Sequence, residues 1–83
     1  MNRKKFGAYV RKNRYSQGYT MVEAADLIGI SDTQLQNIEM GKAAPRPATF
    51  MKIVNALGLD AKEAVNELED EGEEKYVDTV DER

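Results

Sequence analysis

From Ser31 to Gly41 the chain reads Ser-Asp-Thr-Gln-Leu-Gln-Asn-Ile-Glu-Met-Gly. If this stretch is helical, Leu35 and Ile38 share one side, and Asp32, Thr33, Gln34, Gln36 and Asn37 point away from it. That is a face built for hydrogen bonding. The carboxamides of Gln and Asn carry a donor beside an acceptor, the pair that an adenine edge in a DNA major groove matches, and Thr can offer its methyl to thymine. Thr33, Gln34, Gln36 and Asn37 are therefore the candidate base-contacting residues, with Ser31 at the helix start as a candidate phosphate contact. Asp32 can accept from a cytosine amino group, but its simpler role is electrostatic support of the helix N-terminus, and that reading is preferred.

Other chemistry is restricted by what the chain lacks. Its 83 residues include no Cys and no His, which excludes disulfides, thiolate zinc sites, Cys nucleophiles and His bases within this chain. Glu67, Glu69, Asp70, Glu71, Glu73 and Glu74 are spaced as a solvated acidic run rather than as a preorganised metal cage. We expect no catalytic residue, no metal and no cofactor.

Short helices must hold the polar face in place. Ala24, Ala25 and Ile28 fall on one side of a preceding helix, with Ala25 small where two helices cross. Gly29 can take the left-handed conformation that ends that helix, and Ser31 can cap the next, with Gln34 three residues on. The same punctuation occurs at Gly18, Thr20 and Glu23, and again at Gly58, Asp60 and Glu63. Arg3 to Gln17 reads as a first helix capped by Asn2, with Phe6, Tyr9 and Val10 inward and Lys4, Lys5, Arg11, Lys12 and Arg14 outward. After Gly41, Pro45 and Pro47 enforce a loop, and Pro47 or Ala48 opens a fourth helix whose body is Thr49 to Leu57, with Phe50, Ile53, Val54 and Leu57 inside. A fifth runs from Ala61 to about Glu69 through Ala64, Val65 and Leu68. The expected fold is all-α, a compact five-helix domain over residues 1–69, followed by an acidic extension over 70–83. That tail is expected either to be disordered or to enter a dimer contact, its Tyr76–Val80 stretch having a weak strand-like alternation.

From Phe6 to Leu59 the sequence resembles the phage repressor and Cro type of helix-turn-helix protein, often called XRE-like. Phe6-Gly7, Arg11, Arg14, Gly18-Tyr19-Thr20, Glu23, Ala25, Ile28-Gly29-Ile30-Ser31, Ile38-Glu39, Gly41-Lys42, Pro45, Thr49, Lys52-Ile53 and Ala56-Leu57-Gly58 carry the resemblance without gaps. It implies that Asp32 onward is a recognition helix lying in the major groove. It also implies that the first helix lies near the DNA backbone, where Arg11 and Arg14 are candidate phosphate contacts, and that the loop holding Lys42 and Arg46 runs along a DNA strand and grips phosphates. Met21 stands where many relatives carry a phosphate-clamping Gln, so that contact is expected to be missing.

Residues 1–62 hold ten Lys or Arg against five Asp or Glu, a net +5, whereas residues 63–83 hold two against ten, a net −8. A basic body suits a polyanionic partner, and an acidic tail is repelled by DNA unless it covers the basic face. If it does so, truncation after Glu69 should tighten DNA binding, as measured by titration of a labelled duplex; unchanged or weaker binding would refute the idea. The expected function is a sequence-specific DNA-binding transcriptional regulator, a small dimeric repressor of prokaryotic, phage or mobile-element type, acting on double-stranded DNA in the cytoplasm at the nucleoid. No segment is long and apolar enough for a bilayer span. The alternative is a protein-binding antirepressor, adaptor or antitoxin on the same fold, with a partner held through Met21, Val22, Leu27 or the acidic tail.

Overall fold

The computed structural model describes residues 1–69, which form five helices: α1 (Arg3–Ser16), α2 (Met21–Ile28), α3 (Asp32–Glu39), α4 (Pro47–Leu57) and α5 (Ala61–Leu68). The expectations for residues 70–83 lie outside this range. Observed boundaries fall within two residues of those read from sequence. Gln17 is the C-cap of α1 rather than its last residue, α4 starts at Pro47 with Arg46 as N-cap, and Glu69 caps α5. Proline at the first helical position costs no hydrogen bond, so the helix starts two residues ahead of the body expected from Thr49.

The caps follow the sequence punctuation. Asn2 Oδ1 accepts from the Lys5 amide at 2.9 Å, and reciprocal capping boxes form at Thr20 with Glu23 and at Ser31 with Gln34. Asp60 accepts from both the Lys62 and Glu63 amides, while the Glu63 carboxylate accepts from the Tyr9 hydroxyl at 2.8 Å. The third helix start therefore uses its acid to hold α5 on α1 instead of to close a box.

Phe6, Val10, Ala24, Ala25, Ile28, Leu35, Ile38, Ile53, Val54, Leu57 and Ala64 form one buried cluster. α1 packs on α3 and α5, and α2 packs on α3 and α4. Phe50 is half-buried at the edge of the core, its ring 5.7 Å from that of Phe6. Asn13, polar where the inner stripe would continue, donates to the Tyr9 carbonyl of its own helix at 2.9 Å. Two further bonds close the bundle: the Asn2 amide donates to the Leu68 carbonyl at 2.8 Å, and Gln17 Nε2 donates to the Leu57 carbonyl at 2.8 Å.

The Tyr9–Glu63 contact has a pH signature. Burial first, then the hydrogen bond and charge of Glu63, push the phenol from 10.0 up to about 12. Folding thus favours the neutral phenol. The contribution is complete below pH 10, the unfolded value, and is lost as pH rises through the folded value near 12. Tyr9→Phe should lower stability at neutral pH and lose less of it between pH 10 and 12 than the wild type does, read from urea midpoints. Parallel profiles for the two proteins would count against the contact.

Candidate nucleic-acid interface

The turn before α3 sets the direction of its polar face. Gly29 sits at φ +91°, which a side chain would strain, and its amide and that of Ile30 both donate to the Ala25 carbonyl. Ala24 and Ala25 are fully buried, so α3 can lie close across α2. On the other side Gly7 of α1 meets the end of α3. A Cβ at Gly7 would collide with the carbonyl oxygens of Ile38 and Glu39, so only glycine allows that approach. α3 is gripped from both sides.

Its outer face is what remains. Ser31, Asp32, Thr33, Gln34 and Gln36 are exposed and Asn37 is half-buried, whereas Leu35, Ile38 and Glu39 are buried. The structure therefore brings Ser31, Thr33, Gln34, Gln36 and Asn37 together on one surface. Ser31 Oγ accepts from the Gln34 amide at 3.1 Å, which leaves the hydroxyl proton available as a donor. The carbonyl of Asn37 accepts from the Lys42 and Ala43 amides at 2.9 and 3.3 Å, fixing the following loop to the end of α3. Pro45 is buried beneath that loop, and Lys42 and Arg46 are exposed on it. Arg46 is the N-cap of α4, and its side chain makes no capping hydrogen bond.

Arg11 and Arg14 part company. Arg11 is exposed, and its Nη2 lies 3.4 Å from the Glu39 carbonyl, so it stands beside the end of α3 with its other donors outward. Arg14, expected on the outer face, is turned inward. It is only 6% exposed, and its Nε and Nη2 donate to the two Glu39 carboxylate oxygens at 2.7 and 2.9 Å, while Nη1 donates to the Tyr19 carbonyl at 3.1 Å. Its hydrogen bond to Glu39 raises the guanidinium pKa further above its ordinary value. Three of its five donors are committed within the protein, because the position extends the inner stripe of α1.

Glu39 is the functional neighbour that sequence reasoning missed. It is 3% exposed and holds the C-terminal end of the recognition helix to α1. The signal was present in the spacing: Glu39 lies four residues after Leu35, as Arg14 lies four after Val10.

The suspected protein-binding patch is also divided. Met21 is half-buried against the core, whereas Val22 and Leu27 are 60% and 49% exposed. Among the described residues no helix is long and apolar enough to cross a membrane, and no cluster of three or more acidic, His or Cys residues could hold a metal ion.

The helix-turn-helix family model HTH_3 matches residues 9–63. The chain is 39% identical over 54 residues to an SPbeta prophage-derived HTH-type transcriptional regulator, YonR, of Bacillus subtilis, spanning 65% of this chain and 50% of that protein. It is 34% identical over 59 residues to the HTH-type transcriptional regulator Rv0023 of Mycobacterium tuberculosis, spanning 71% of this chain and 23% of that one. The chain thus spans half or less of these curated relatives. Among solved structures, the clp gene regulator ClgR of Corynebacterium glutamicum superposes with a TM-score of 0.72 at 25% identity, covering 81% of this chain and 87% of that one. The restriction-modification controller protein C.AhdI of Aeromonas hydrophila superposes at 0.70 and 24% identity, covering 74% and 92%, a likeness of fold.

Proposed function

This chain belongs to the HTH_3 helix-turn-helix family, and on that premise we propose that it is a sequence-specific DNA-binding regulator, a small dimeric repressor that acts by occupying its operator. The observation that carries the reading is the outer face of α3, where exposed hydrogen-bonding side chains stand on a helix clamped by Gly7, Ala25 and the Arg14–Glu39 pair. Thr33, Gln36 and Asn37 would read base edges, and Ser31, Arg11, Lys42 and Arg46 would hold phosphates on either side. The lean toward Gln and Asn favours half-sites containing A·T pairs.

A protein of this kind binds a two-fold-symmetric site as a dimer, with half-sites about one helical turn, roughly 34 Å, apart. Val65 is exposed on α5, and Met1, Val65, Leu68 and Glu69 line a shallow groove of about 270 Å³, which supports α5 as the dimer surface. The chain would act in the cytoplasm at the nucleoid and perform no catalysis. The test is selection from a random duplex pool at near-physiological salt, followed by sequencing. A two-fold-symmetric motif is the expected result, and no enrichment by folded protein would refute it. The exposure of Val22 and Leu27 favours a second reading, a protein-binding module, and salt separates the two: phosphate contacts weaken steeply as salt rises and an apolar interface does not.

A further inference from the structure

The Ser31 amide lies 3.0 Å from Gln34 Oε1. An N–H is met only by an acceptor, so bonding alone fixes the orientation of this carboxamide: the oxygen turns back to the helix start and the NH2 is left as the free group. A carboxamide that reads adenine presents both atoms to one edge, the oxygen accepting from N6 and the nitrogen donating to N7. Gln34 has its oxygen already drawn into the cap. Its place on the helix also differs from those of Thr33 and Gln36, which lie outside the cleft that it lines. That cleft, of about 150 Å³, lies between α3 and the α3–α4 loop, and Gln34 shares it with Asn37, Arg46 and Thr49. Every polar side chain on that lining can donate a hydrogen bond, and none is a carboxylate.

We infer that this cleft takes a DNA phosphate between the NH2 of Gln34 and the guanidinium of Arg46, so that Gln34 fixes the register of the recognition helix instead of reading a base. The inference rests on the DNA-binding reading above. It makes Gln34 a residue of two uses: its oxygen starts the helix, and its nitrogen locks the helix to the backbone it docks on. Thr33, Gln36 and Asn37 then carry base discrimination.

The test uses the full chain as wild type, Gln34→Met, Arg46→Ala and the double variant, each titrated on the selected operator and on an unrelated duplex, with melting temperatures measured. Gln34→Met should lose about tenfold on both duplexes, the value of one hydrogen bond to a charged group, and should select the same motif as the wild type. Its loss and that of Arg46→Ala should sum to more than the double variant loses, because both hold one phosphate. Gln34→Glu keeps an oxygen for the Ser31 amide, preserving the helix start if the Met variant is unstable, and should bind more weakly still with an unchanged motif. A motif altered at one base position, additive losses, or wild-type affinity in Gln34→Met or Gln34→Glu would overturn the inference. A wild type that selects no motif would instead overturn the regulator reading and this site with it.

Discussion

Arg14→Ala should lower folding stability by about 3–5 kcal/mol, the effect of leaving a buried carboxylate without its partner. The Glu39 carboxylate is 3% exposed and takes both Arg14 bonds, at 2.7 and 2.9 Å, so removing the guanidinium leaves a charge that water cannot reach without opening the α1–α3 contact. A domain this small has a total stability of only several kcal/mol, so the variant should be largely unfolded at physiological temperature. Arg14→Lys keeps the charge but not the fork, and cannot serve two carboxylate oxygens and the Tyr19 carbonyl at once, so an intermediate loss is expected. Replacing both partners, Arg14→Met with Glu39→Met, removes the stranded charge and should recover much of the loss. Urea unfolding of the four proteins decides it. A loss below about 1 kcal/mol in Arg14→Ala, the range of an exposed pair, would show that the contact opens to solvent.

That pair also marks the point where sequence reading stopped. The five helices were legible because caps and stripes agree: Thr20 with Glu23 and Ser31 with Gln34 start helices whose inner faces repeat at three and four, and each forms the predicted reciprocal bonds. The polar face of α3 was legible for the same reason, as the complement of Leu35 and Ile38. Arg14 reads as outward from sequence because an isolated charge usually belongs to solvent. Its spacing from Phe6 and Val10 pointed inward, and only the matching position of Glu39 makes an inward charge tolerable. Neither residue signals this alone; the information lies in two stripes on separate helices, each ending in an opposite charge. Gly7 was unreadable in the same sense, since its need for a missing side chain comes from a carbonyl more than thirty positions away. Likewise, Met21 read as a surface residue beside Val22 and Leu27, yet it packs against the core.

The variant Gln36→Ala with Asn37→Ala should remove most of the sequence preference, leaving only what Thr33 reads, in a folded protein that still binds DNA. A bidentate carboxamide–base pair is worth about 1–3 kcal/mol of discrimination, and a dimer would use each residue twice, so the specific affinity should fall by about a hundredfold or more. The fold should survive because neither side chain holds it. Gln36 is exposed, and the bonds that anchor the next loop go to the backbone carbonyl of Asn37, which alanine retains. Alanine is also the better helix former, so the melting temperature should hold or rise slightly. The charged phosphate contacts are untouched, and the slope of affinity against salt should therefore match that of the wild type on non-operator DNA. Selection with the variant, run beside competition binding at fixed salt, reads both effects. The same motif recovered from both proteins would place recognition elsewhere, whereas loss of all DNA binding with the fold intact would mean that these two residues hold the backbone rather than the bases.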